Sequence, residues 1–184
     1  MVLALAPSWG FAFDGFAQLD KNYLEVVPAK LPIEEVSGDL HISSGGLQLN
    51  QVKGMLYGEP LYVEGGTQHD GPGVATLLQF ESHLSGEMLA DYLDLSLFKQ
   101  WLLGRSELGG NLYIPHDQDQ QRIPSLQLDS SLQGIEVALP GLFAKPSELT
   151  QKLAIRVELS GENVPLMHLD YGKQLAAVLA FDQP

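Results

Sequence analysis

Apolar and polar residues take turns along much of this chain. Leu126, Leu128, Ser130 and Leu132 fall on one side of an extended backbone, and Gln127, Asp129, Ser131 and Gln133 on the other. Leu153, Ile155, Val157 and Leu159 repeat the arrangement against Ala154, Arg156 and Glu158, and Ile135, Val137 and Leu139 do so before Pro140. A period of two predicts strands with one apolar and one wet face. Antiparallel sheets carry that pattern, whereas parallel sheets covered on both faces do not. Turn signals such as Ser44-Gly45-Gly46, Asp70-Gly71-Pro72-Gly73 and Gly109-Gly110-Asn111 separate the runs. Strands are therefore predicted over 11–19, 22–27, 34–43, 46–57, 60–68, 73–84, 106–115, 124–132, 134–139, 152–160 and 175–181.

One segment breaks the alternation. Between Ser85 and Gly104, Met88, Leu89, Tyr92 and Leu93 recur at helical spacing, and Phe98, Trp101 and Leu102 suggest a second short turn closed by Gly104. Ser85 is a candidate cap, and Glu87 suits the positive end of the first helix. The segment predicts one broken helix or two short ones, folded over the apolar face or the end of the sheet. A short helical turn is also predicted near Leu142–Glu148. A small phrase, Val-x-Gly-x-Leu, occurs at Val36, Gly38 and Leu40 and again at Val52, Gly54 and Leu56. Glycines inside strands mark bends, bulges or close approaches, so their recurrence predicts a sheet that curls; ordinary turn glycines are the plainer reading.

Composition narrows the partners. The 184 residues suffice for a single β-rich domain over 1–184. The formal net charge is −13, from 10 basic and 23 acidic residues. Such a charge repels phosphate backbones and anionic membrane surfaces, so no nucleic acid is expected as a partner. With no cysteine, disulfides and thiolate chemistry are excluded. No apolar run approaches the roughly 20 residues of a spanning helix, so no direct membrane span is expected in this stretch. The opening MVLALAPSWGFAF lacks the basic start of a signal peptide and is interrupted by Pro7 and Gly10; it reads as a strand.

Catalytic patterns are missing where they would be sought. His41, His69, His83, His116 and His168 show no metal-site spacing, so neither metal nor cofactor is expected. His69-Asp70 and His116-Asp117 fall in polar, turn-like stretches, and HDQDQQ lacks the glycine and terminal glutamate of a calcium loop. There is no G-x-S-x-G elbow, P-loop or dinucleotide fingerprint. Glu34 and Glu35 alternate faces, and Asp91 with Asp94 reads as a wet helix face. The expectation is a protein that is not an enzyme.

Three stretches carry a resemblance: the G-x-L-x-G-x-P-L pattern of Gly54–Leu61, the helical segment followed by Leu102-x-Gly104-x-x-x-Leu108, and LQGIEVALPGLFAKP from Leu132 to Pro146. In this order, over roughly residues 30 to 160, the chain resembles the C-terminal region of YhdP-type proteins of the AsmA-like superfamily, relatives of TamB. The resemblance implies a mainly β fold: a strongly curved antiparallel sheet, a U-shaped trough or β-taco, with one or two short helices on its concave face or end. It implies a segment of a longer chain that is periplasmic and anchored in the inner membrane of a Gram-negative envelope. The implied role is a hydrophobic groove for phospholipid transport between inner and outer membrane, in series with adjoining repeats of the same longer chain.

Under that expectation the candidate groove-lining residues are Leu126, Leu128, Leu132, Leu153, Ile155, Val157 and Leu159, and the partner is the phospholipid acyl chain. The candidate plug helix carries Met88, Leu89, Tyr92, Leu93, Phe98 and Trp101. Two other readings compete: a self-packed β-rich scaffold whose apolar face is closed on itself, and a glycan-binding β-domain using Trp9, Tyr57, Tyr62 or Trp101.

Overall fold

A computed structural model describes residues 12–26, 31–71, 73–93, 96–116, 122–159 and 166–180. Five long strands open the chain: β1 (Asp14–Val26), β2 (Leu31–Ser43), β3 (Gly46–Leu56), β4 (Glu59–Asp70) and β5 (Gly73–Ser85). Two short helices follow, α1 (Gly86–Leu93) and α2 (Phe98–Trp101). Then come β6 (Leu102–Pro115), β7 (Ser125–Ser130), β8 (Ile135–Val137), β9 (Leu153–Glu158), β10 (Leu166–Tyr171) and β11 (Leu175–Ala180). All pairings are antiparallel, in the order β1-β2-β3-β4-β5-β6-β7-β9-β10-β11, with β8 attached to the start of β6. Among the described residues β1 and β11 each pair on one side only, so the sheet is an open meander and not a barrel.

The bend predicted from glycine has a second source that glycine counting does not show. Lys21, Glu35 and Gln51 hold left-handed backbone at φ near +50°, each where the register of its strand slips. They form a line of β-bulges across β1, β2 and β3. Each costs on the order of 1 kcal/mol for an L-residue. Bulges bend the strand and raise its twist, so three on adjacent strands favour curvature in this part of the ribbon.

The repeated phrase is a reciprocal fit. A Cβ on Gly38 would stand 2.7 Å from the Val52 Cα, and one on Gly54 would stand 3.4 Å from the Val36 Cγ2 and 2.9 Å from the Ile33 Cγ2. Each glycine leaves room for the other phrase's valine, and Val36 and Val52 are both buried.

Several boundaries differ from the periodicity. The runs 11–19 and 22–27 are one strand within the described residues, because pairing with β2 continues on both sides of the bulge in the polar LDKN stretch. The Asn22 Oδ1 accepts the Asp20 N–H at 2.9 Å, and the Ser37 Oγ accepts the Lys21 N–H at 3.1 Å. β6 begins at Leu102, so Gly104 lies inside a strand and closes no helix. β10 was not predicted, because Leu166 on the wet side blurs its alternation. The turn expected near Leu142–Glu148 is a single 3-10 turn at Gly141–Phe143. The opening segment read as a strand lies, up to residue 11, outside the described residues.

Candidate functional site

Cross-strand pairing converts the alternating pattern into rows. Ala17 opposes Leu40, Leu40 opposes Leu49, and Leu49 opposes Gly65. The row continues through Leu78, Leu112 and Leu126, and then Val157, Met167 and Leu179. It crosses all ten strands of the main sheet without one polar side chain. Nine inter-strand steps span about 43 Å. Beside it runs a second apolar row, from Val52 and Val63 through Phe80, Gly110, Leu128, Ile155 and Leu169 to Ala177. Phe80 fills the gap at Gly110, where a Cβ would meet its ring at 2.3 Å. The opposite face carries Glu64, Gln79, Asn111, Gln127, Arg156 and His168 in one register row.

Among the described residues the apolar face is covered along one margin only. There Leu56, Leu61, Leu84 and Leu108 pack with Met88 of α1 and with Leu132, Ile135 and Val137, all at most 8% exposed. The Ser85 Oγ accepts the Met88 N–H at 3.1 Å, the cap expected from the sequence. Leu128 and Leu153 touch this cluster from its side, whereas Leu78, Leu112, Leu126, Val157 and Met167 lie beyond it, half-buried, and Leu179 is exposed.

A family model described as YhdP protein matches residues 11–184. The chain belongs to the YhdP family. No curated protein and no solved structure matches it. Membership makes it an AsmA-like envelope protein, and no helix among the described residues is long and apolar enough to cross a membrane.

The YhdP frame gives the candidate residues separate places. Leu126 and Val157 lie in the row that crosses every strand, and Leu128 and Ile155 in the row beside it. Leu153 opposes Ser130 at the edge of the covered cluster. Leu159 stands just past β9, half-buried, its N–H donating to the Pro124 carbonyl at 2.7 Å. Leu132 lines no open surface: the chain turns there through φ +50° and buries it to 3% exposure. Of the plug residues, Met88 is buried, Leu89 packs against the cluster and Trp101 is half-buried. The side chains of Tyr92, Leu93 and Phe98 lie outside the described residues. The helices seal a margin of the face, leaving its middle accessible.

The segment from Leu132 to Pro146 makes the rest of the cover. Lys145 is 3% exposed, and its ammonium donates to the carbonyls of Ile135, Pro146 and Leu149 at 2.6, 2.9 and 2.7 Å. Burial pushes its pKa down, and Glu148 pulls it partly back. Glu59, also 3% exposed, meets the Arg105 Nε at 3.1 Å through Oε1, while its Oε2 has no hydrogen-bond partner. Sequence reading passed over both, since a lone Lys or Glu gives no periodic signal.

On the wet face Tyr113 donates to the Asp70 carboxylate at 2.7 Å, and the Arg122 Nε donates to the Tyr113 hydroxyl at 2.9 Å. Arg122 also pairs with Asp70. The bonds from Tyr113 and then Arg122 hold the Asp70 carboxyl below its ordinary range. Among the described residues no group of three or more His, Asp or Glu is placed to hold a metal. Asp91 pairs with Lys99 at 3.2 Å; Asp94, Asp117 and most of the HDQDQQ loop lie outside the described residues. The aromatic candidates for glycan stacking are dispersed: Tyr57 packs against the core cluster, Tyr62 faces solvent from β4, Trp101 ends α2, and Trp9 is outside the described residues.

Proposed function

We propose that this chain is a non-enzymatic periplasmic segment of a longer YhdP-type protein, and that its apolar face is a groove through which phospholipid acyl chains pass between the inner and outer membranes. The observation that carries this reading is the apolar row that crosses all ten strands, half-buried from Leu40 to Met167 and exposed at its ends, Ala17 and Leu179. Each methylene of an acyl chain laid on such a surface gains up to ~0.8 kcal/mol as it leaves water. The row offers no charge along its length, so a tail has no fixed register and can slide. Its two ends, at β1 and β11, pair on one side only among the described residues, an arrangement that suits adjoining repeats of the same chain.

The test is native mass spectrometry of the chain after incubation with phospholipid vesicles. Bound phospholipid is expected on the wild type. Val157→Asp places a carboxylate in the row and is expected to stay folded but lipid-free. A wild-type chain that takes up no lipid would favour the self-packed scaffold instead.

A further inference from the structure

The row is interrupted once, and the interruption coincides with the polar groups of the next row. Gly65 is its single position without a side chain, and it is partly accessible. Substitution is barred there by φ +121° and by the Leu77 carbonyl, which a Cβ would meet at 2.3 Å. The apolar face therefore has a notch between Leu49 and Leu78. Immediately beyond it, where Thr67 opposes Thr76, the face carries a hydrogen-bonded relay. The Leu47 N–H donates to the Thr67 Oγ1 at 3.0 Å, the two threonine hydroxyls lie 2.8 Å apart, and the Thr76 Oγ1 lies 2.8 Å from the His116 Nε2.

In the one arrangement that keeps both hydroxyl protons within the relay, Thr67, which accepts from a backbone N–H, donates to Thr76, and Thr76 donates to His116. Every hydroxyl is satisfied when Nε2 is the acceptor, which assigns the ring proton to Nδ1 by the network. His116 is exposed, so this arrangement offers an N–H donor at the uncovered margin of the face.

We infer that the Gly65 notch and the Thr67–Thr76–His116 relay form a seat for a hydrogen-bond acceptor of the lipid, the carbonyl of a glycerol ester, while its acyl chains lie along the row. His116 is the binding residue, and Thr76 positions its ring. A neutral carbonyl fits better than a phosphate, because the notch and relay contain no Lys or Arg and the chain's net charge is −13. The inference rests on the groove reading above and adds to it a place where the sliding lipid pauses with a defined orientation.

Two probes separate the claims: n-hexadecane, which has only the tail, and dipalmitoylglycerol, which adds the esters and no phosphate. Each is offered in detergent micelles to the folded chain, and retained probe is counted by mass spectrometry. The wild type is expected to hold both. His116→Ala and Thr76→Val are expected to lower dipalmitoylglycerol retention about fivefold, the worth of one neutral hydrogen bond, with hexadecane unchanged. Thr76→Ser keeps the hydroxyl and is expected to restore the ester preference. Equal losses for both probes, or no loss for either, would overturn the seat and leave the groove standing. A wild type that holds neither probe would overturn the groove and the seat together.

Discussion

The covered and uncovered parts of the apolar face use the same residue types and meet different fates. Leu108 on β6 is 6% exposed beneath α1, whereas Leu112, four residues along the same strand and on the same face, is half-buried with no helix over it. Neither strand propensity nor hydrophobicity distinguishes them. The difference is whether a second layer lies above, and that layer consists of α1, α2 and the segment from Leu132 to Leu149. The covered margin is a core in the ordinary sense, held by packing. The uncovered middle, half-buried, gains less from the chain's own packing.

A charge inserted on each side gives the largest contrast. Leu108→Asp places an unpaired carboxylate in the sealed cluster and is expected to abolish folding, a loss of several kcal/mol. Leu126→Asp, in the accessible row, is expected to lower stability by about 1 kcal/mol and leave the circular dichroism spectrum native. Urea unfolding of both variants checks the pair; equal losses would mean that the two parts of the face are one core.

Next in size is removal of the cover's fastening. Lys145→Met keeps the bulk of the side chain and strands the carbonyls of Ile135, Pro146 and Leu149. A loss of about 3 kcal/mol is expected. Amide exchange should quicken first between Ile135 and Leu149 while β3 to β5 keep their protection. Uniform loss of protection across the sheet would show that the cover and the ribbon unfold as one unit.

The smallest effect lies at the open margin. Asp70 has a folded pKa below its unfolded value, so its contribution is present above the ordinary carboxylate range and disappears as pH falls through the lowered folded pKa. The stability difference between wild type and Asp70→Asn is expected to be largest near neutral pH and to vanish in acid. The pH dependence of urea midpoints measures it, and a difference that stays constant into acid would remove Asp70 as the cause.

The two faces of the ribbon were legible in the sequence because period two is a local property: Leu126, Leu128, Ile155 and Val157 needed only their neighbours to be assigned a side. The helical break was legible for the same reason, from the spacing of Met88 and Leu89 and the cap at Ser85. What depends on distant partners was not. Leu132 continues the alternation perfectly, yet the chain turns there and buries it. The bulges at Lys21, Glu35 and Gln51 use residues with no preference for left-handed backbone, so they left no compositional mark. The row is a matter of register between strands, which single-strand periodicity cannot supply. In the Thr67–Thr76–His116 relay, Thr76 and His116 are bonded across 40 positions of sequence.

Each strand of the main sheet bonds only to its immediate predecessor and successor along the ribbon, with β8 set aside on the covered margin. Reach is therefore a matter of counting. Inserting or deleting one hairpin anywhere between β9 and β11 would change the distance spanned by about 10 Å and alter contacts only at the splice, as in a solenoid. The length of such a ribbon can change by adding or removing rungs, with no need to redesign the ladder.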